Sequence, residues 1–160
     1  MATAVWMDLL TVTQGIIQGL GFTWTPPGAS SPVSLPSGSV LIREVESDVN
    51  VSLPNIQIVL GGTEEVEGGD FEDWEIVYPV KVVHTFLADQ SYTVSADRLY
   101  WRQQIHDAFH KIARPEATTA NVNDCEVSFN PPIEVSQFQR ENLQVGGLML
   151  KFRTMRSRGR

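Results

Sequence analysis

The hydrophobic positions near the N-terminus recur at the spacing of a helix. Over residues 4–20 the predicted core-facing side comprises Trp6, Leu9, Leu10, Thr13, Ile16, Ile17 and Leu20. A periodic stripe of this kind is typical of an amphipathic helix with one buried face. Gly19 and Gly21 supply the stop, because glycine accepts the left-handed backbone that closes a helix.

A second helix is predicted over residues 96–113. Its predicted buried stripe comprises Trp101, Ile105, Ala108, Phe109 and Ile112. Ser95 is a suitable N-cap, and Asp97 lies in the first turn, where a negative charge is favourable. Pro115 ends the segment, because proline cannot continue a helix.

Alternating apolar and polar residues predict strands elsewhere in the chain. The predicted strands cover residues 39–45, 55–60, 74–86, 124–129 and 143–155. The strongest is 74–86, where the even-numbered residues are apolar or aromatic apart from His84. Pro79 lies inside it and has no N–H to donate, so it predicts an edge position, a bulge or a bend.

Two segments have the composition of long loops. Residues 23–38 are rich in Pro, Ser and Gly, which disfavour both a helix interior and a sheet. Residues 61–73 are glycine-rich and acidic and are expected to be mobile. The element order is therefore helix, strands, helix, strands. Half-buried strands in this order predict an α+β fold, a mostly antiparallel sheet with two helices packed on one face.

The length of 160 residues fits one domain, with 151–160 as a basic C-terminal tail. A single cysteine, Cys125, and an N-terminus without a signal-peptide pattern favour a reducing compartment such as a cytoplasm. Apolar residues make up 42% of the chain, yet no run is long enough to predict a membrane span.

Charge is segregated along the chain, although the net value of −7 argues against wholesale binding to nucleic acid. Residues 44–75 contain ten carboxylates and no Lys or Arg, whereas residues 151–160 contain five basic residues and no acid. The two segments are predicted to meet opposite partners, or each other on neighbouring subunits; a solvated loop and a free tail are the alternative. The candidate interface residues are Glu64, Glu65, Glu67, Asp70, Glu72, Asp73, Lys151, Arg153, Arg156 and Arg158.

No catalytic, cofactor or metal site is predicted. His106 and His110 have the spacing of the HExxH zinc hydrolases, but Asp107 replaces the glutamate and no third ligand is evident, so surface or interface histidines are favoured. His84 is interpreted as a buried, hydrogen-bonded histidine and Cys125 as a core residue. The acidic loop could hold a hard cation, but its spacing does not match a calcium loop.

The chain resembles the tail-terminator (tail-completion) proteins of long-tailed bacteriophages over nearly its whole length. The resemblance is carried by the order of the elements and by short, largely hydrophobic sequence motifs at residues 6–10, 53–59, 78–83, 98–105, 108–109, 124–127 and 152–153. These include YPVKVV at 78–83 and RLYWRQQI at 98–105.

The resemblance implies a non-enzymatic virion protein of the tail neck, assembled in the host cytoplasm. Such proteins form a homo-oligomeric ring, usually a hexamer, that caps the tail tube, stops its polymerisation and meets the head connector. The acidic segment could serve subunit contact, or could face the lumen and repel passing genomic DNA. A head-closure or tail-tube-like subunit, and a small metal-dependent hydrolase using His106 and His110, remain alternatives.

Overall fold

The computed structural model describes residues 4–47, 52–69, 73–87, 96–112, 121–133 and 143–157. Helix α1 spans Val5–Gly19 and helix α2 spans Ala96–Phe109, which confirms both predicted helices. Gly21, at φ 65°, turns the chain after α1. Helix α2 ends before the predicted residue 113, and Lys111 adopts φ 57°. The predicted cap Ser95 and terminator Pro115 lie outside the described residues.

The strands, in chain order, are β1 Thr23–Trp24, β2 Val33–Ser34, β3 Val40–Ile42, β4 Asn55–Leu60, β5 Glu65–Gly69, β6 Asp73–Leu87, β7 Asn121–Phe129 and β8 Leu143–Ser157. A short 3-10 helix covers Ser37–Ser39. Strands β1 and β2 form a separate two-stranded sheet. The main sheet has the order β3-β4-β6-β8-β7, and β5 pairs with β6. Its pairings are antiparallel except β3 with β4, so the predicted α+β, mostly antiparallel sheet is confirmed.

Both segments predicted as loops contain strands. In residues 23–38, Thr23 pairs with Ser34 and Trp24 with Val33, because the prolines of this segment lie outside the paired positions. In residues 61–73, strand β5 pairs with β6 across a register shift between Val66 and Gly68. Acidic residues and glycine are poor strand formers, but their backbone groups complete the ladder when a long neighbouring strand is available.

The two helices lie on the same face of the main sheet. Helix α1 contacts β3, β4 and β6, and helix α2 contacts β6, β7 and β8. Between helices and sheet lies one apolar core, which includes Leu9, Ile17, Ile58, Val80, Val82, Trp101, Ile105, Phe109, Cys125, Leu148, Leu150 and Phe152. The even-numbered side chains of β6 from Ile76 to Phe86 point inward as predicted, and so do Trp101, Ile105 and Phe109 of α2. The predicted stripe residue Ile112 lies beyond the end of α2. Cys125 is a core residue as interpreted.

The sheet face opposite the helices, named here the open face, is less exposed than predicted. Val83, Leu143 and Val145 form a second small apolar cluster on it. Gln57 is only 2% exposed. Ser47 N donates to Gln57 Oε1 at 2.8 Å, and Gln57 Nε2 donates to the Ser47 carbonyl at 2.6 Å, so the segment after β3 covers β4. The prediction of strands buried on one face only is wrong for β4.

Pro79 lies in the middle of β6, where the neighbouring edge is interrupted. Strand β4 stops pairing at Leu60, opposite Val80, and β5 starts at Glu65, opposite Val77. Gly61 N donates to the Pro79 carbonyl at 2.9 Å. The N–H and C=O of one residue in an antiparallel ladder point the same way, so the missing N–H of Pro79 faces this break. Pro79 is thus locally an edge residue, one of the three positions predicted for it.

Candidate interaction surface on the open face of the sheet

Side chains of three strands form a charged row on the open face. The antiparallel register places Val77 of β6 beside Arg153 of β8. Arg153 then donates to Glu75 Oε1 at 3.2 Å and to Glu126 Oε2 at 3.1 Å, so one guanidinium bridges β6 and β7. Its side chain is 28% exposed, and the two carboxylates are 36% and 55% exposed. Partly exposed pairs of this kind contribute little stability each.

The acidic and basic segments therefore meet within one chain. The sequence predicts different partners for these two segments, or contact between them on neighbouring subunits. The pairing of Asp73 with Ser157 lays the end of the acidic segment along the basic strand, and Arg153 is satisfied there. The sequence pattern does not identify Glu75 and Glu126 as the partners of Arg153. Their alternation with apolar neighbours indicated only a polar face, because the strand register cannot be read from the chain.

A groove opens beside this row, at the break between β4 and β5. It has a volume of about 170 Å³ and is lined by apolar side chains of Val77, Pro79 and Met149 and by the charged Glu65 and Lys151. Glu65 and Lys151 are exposed and form no hydrogen bond or ion pair with any described residue. The groove thus combines an apolar lining with two unpaired charges of opposite sign.

Gly61 lines one side of the groove, and no larger residue fits at this position. A Cβ at this position would lie 2.5 Å from Met149 Sδ and 2.9 Å from the Pro79 carbonyl oxygen. The backbone contact at Pro79 therefore requires glycine. The sequence carried this signal in the Gly61-Gly62 pair, which was interpreted as part of a mobile loop.

Glu64 differs from the other acidic candidates because it contacts a helix. Trp6 Nε1 donates a hydrogen bond to Glu64 Oε2, and the Trp6 ring packs edge-on against Tyr78 at 5.2 Å between centroids. Glu64 therefore ties the β4–β5 break to the N-terminal turn of α1. Its predicted role in a subunit contact would compete with this internal bond.

The remaining predicted residues are placed only in part. Glu67 lies in β5, Asp73 begins β6 and Arg156 lies in β8, and the description of these three residues is limited to the backbone. Asp70, Glu72 and Arg158 lie outside the described residues.

The helix-covered face contains a cluster that the sequence did not reveal. His84 is fully buried, and both ring nitrogens lack a hydrogen-bond partner among the described residues, so burial is confirmed while the predicted hydrogen bond is not found. Burial, together with the nearby charges of Arg98 and Arg102, lowers the pKa of His84 to about 3. The ring is therefore neutral at neutral pH. A Cβ on Gly146 would lie 2.5 Å from His84 Cε1, so glycine is needed there as well.

Arg98 and Arg102 are buried on α2, on the same side as Trp101 and Ile105. Arg102 donates to the Gly147 carbonyl at 2.7 Å and to the Asn130 carbonyl, and Arg98 donates to the Pro132 carbonyl. Burial lowers the pKa of both guanidinium groups. Their bonds fix the chain after β7 and the start of β8 against the helix, which is a structural role.

The two histidines of α2 are stacked rather than spread for metal binding. The His106 ring packs on Phe129 at 4.9 Å and on His110 at 4.8 Å, and His106 Nδ1 lies 3.0 Å from Asp107 Oδ1. Both histidines are half-buried, whereas surface positions were predicted. Within the described ranges, no group of three or more His, Cys, Asp or Glu side chains could hold a metal ion.

Comparison of the sequence with models of known protein families and with curated protein sequences finds no match. Among the described helices none is long and apolar enough to cross a membrane. The fold is thus a two-layer α+β domain whose open face offers charges and a groove.

Proposed function

We propose that the protein is a structural subunit of the neck of a long-tailed phage, a tail terminator that forms a ring on the end of the tail tube. In this role it ends tube polymerisation and gives the head connector a docking surface. It is not an enzyme. The proposed partners are copies of itself, the tube protein and the connector protein.

The observation that carries the proposal is the contrast between a fully covered sheet face and a charged open face with a groove. Polar groups in a pocket that transforms a substrate converge on one point. Here Lys151 and Glu65 flank a shallow apolar groove, and the arginines of α2 are engaged with backbone carbonyls. An arrangement of this kind suits contact with another protein surface, and it agrees with the family that the sequence resembles.

Ring closure requires two different patches on each subunit, because a head-to-tail contact that repeats through a rotation closes on itself. The part of the acidic segment around β5 and the basic end of β8 are the proposed patches, against a neighbouring subunit or against the tube. Arg153 is largely satisfied within its own chain, so Lys151, Arg156 and Arg158 are the better candidates for the basic patch.

The acidic segment has a competing proposed use, which is to line the channel and repel the passing genome. Charge reversal of Glu65 and Glu67 to lysine distinguishes the two uses, with Glu64 left intact because it binds Trp6. If subunit contact is the use, the variant fails to form rings. If rings assemble normally while DNA passage fails, the lumen is the use.

Native mass spectrometry of the full chain at several concentrations, followed by negative-stain imaging, tests the ring. We expect an annular particle with one stoichiometry, assembled on added tube ends. A particle found only at the connector would assign the protein to head closure instead. A chain that remains monomeric both alone and beside tube and connector would reject the neck function.

A further inference from the structure

Residues 43–47 follow β3 and form a charged bend, named here the Val45 bend. Val45 is 72% exposed, the most of any large apolar side chain of the described residues. Arg43 and Glu44 precede it, and neither side chain forms a hydrogen bond or ion pair with the described residues. A scattered exposed valine needs no explanation. A valine beside two unpaired opposite charges is a more specific surface feature.

This bend is held on the open face. Gln57 anchors Ser47 through two hydrogen bonds, and Glu46 Oε1 lies 3.4 Å from Lys81 Nζ. Lys81 lies two residues after Pro79 on β6, so both side chains are on the open face. The bend therefore lies near the groove on this face. Val45 is exposed on this bend and does not line the groove of its own chain.

The groove complements the bend in both apolarity and charge. Its apolar lining of Val77, Pro79 and Met149 suits one aliphatic side chain. Its unpaired Lys151 suits a carboxylate, and its unpaired Glu65 suits a guanidinium. The sequence Arg43-Glu44-Val45 supplies these three groups in consecutive positions.

We propose that two copies of this chain pack open face to open face, with the Val45 bend of each copy in the groove of the other. Glu44 then lies opposite Lys151, and Arg43 opposite Glu65. A two-fold axis in the interface plane, midway between the bend and the groove, places the bend of each copy on the groove of the other, so one surface serves both copies. This contact is isologous and goes beyond the head-to-tail contact of the proposed ring.

Sedimentation equilibrium on the full chain tests the contact. We expect a concentration-dependent monomer–dimer equilibrium and, for Val45→Glu, a dissociation constant at least about tenfold higher, since a charge would be buried in the groove. The matched control is Val33→Glu. Val33 is 45% exposed in the β1–β2 hairpin, away from the open face, and its variant should dimerise like the wild type. A wild-type chain that stays monomeric, or equal effects of both variants, would overturn the proposal.

A charge exchange tests which groups meet. Lys151→Glu and Glu44→Lys should each weaken the dimer, and the double variant should recover at least part of the loss, because the pair is restored with reversed sign. If the double variant is as weak as the sum of the two single changes, the two residues do not face each other. Unfolding curves of the three variants show whether any loss arises from misfolding.

Mixed crosslinking tests the register. Thr63 is exposed and lines the groove. Under oxidation, a mixture of Val45→Cys and Thr63→Cys chains should give a covalent dimer, and either variant alone should not, since the native Cys125 is buried. A covalent dimer of Val45→Cys alone would contradict the register. Lys151 and Glu65 serve both proposed contacts, but Val45 and Thr63 are used only by this dimer. Failure of the crosslink therefore leaves tube capping untouched, and failure of capping leaves the crosslink unchanged.

Discussion

The two faces of the main sheet use polar groups in opposite ways. On the helix-covered face, His84 is buried and neutral, and Arg98 and Arg102 each donate to backbone carbonyls. On the open face, Arg153 bridges partly exposed carboxylates, and Lys151 and Glu65 remain unpaired among the described residues. The first arrangement fixes the fold. The second costs little to rearrange, and we infer that this is why it suits a partner.

Removal of a core anchor should have the largest effect on the free energy of unfolding. Trp101 is fully buried, stacks on Phe22 at 4.9 Å and donates to the Thr23 carbonyl at 2.9 Å. Trp101→Ala should destabilise the protein by about 3–5 kcal/mol in urea unfolding. The adjacent Tyr100 is 59% exposed, and Tyr100→Ala should cost well under about 1 kcal/mol. Equal losses would place Trp101 outside the core.

Loss of Arg102 should have the next largest effect. Arg102→Met keeps the aliphatic stem but removes the donor to the Asn130 carbonyl and one of two donors to the Gly147 carbonyl, which still accepts from Asn130 N at 3.1 Å. A buried group left unsatisfied in this way costs about 1–3 kcal/mol. The loss should be smaller in acid than at neutral pH, because the variant also removes a positive charge that lowers the pKa of His84. A loss that is the same at both pH values would contradict the coupling of these side chains.

Acid should destabilise the protein through His84. The unfolded chain binds a proton on this histidine below about pH 6.5, whereas the folded chain keeps it neutral down to about pH 3. Stability therefore falls as pH decreases through this window, by about 2 kcal/mol between pH 7 and pH 5 from this group. His84→Gln should flatten that part of the curve. The measurement is urea unfolding at several pH values.

The smallest effect is expected on the open face. Arg153→Met removes two partly exposed ion pairs and should change stability by about 0–1 kcal/mol, less at high salt. Urea unfolding at low and at high salt concentration measures it. A loss comparable to that of Arg102→Met would show that the two faces do not differ as described.

The sequence predicted those elements whose own residues dictate them. The stripe through Trp101, Ile105 and Phe109 and the alternation along β6 mark buried faces at the correct period. Arg98 and Arg102 escaped notice because pattern reasoning counts arginine as polar, although its guanidinium satisfies carbonyls at the end of a partly buried stem.

The surface was harder to predict because it depends on tertiary pairing. Strand β5 consists of glycine and acidic residues around one valine, and only its neighbour β6 makes it a strand. The ion pairs of Arg153 follow from the register of β6, β7 and β8, which the residues alone do not specify. The groove requires both the break at Pro79 and the close approach at Gly61.

The proposed neck function is tested most directly by the length of tail tubes. Purified tube protein of the same phage would be polymerised with and without this protein, and tube lengths and ends measured by electron microscopy. We predict shorter tubes, each closed at one end by an annular cap, at substoichiometric amounts of the protein. Tubes of unchanged length with bare ends, at any ratio, would contradict the account.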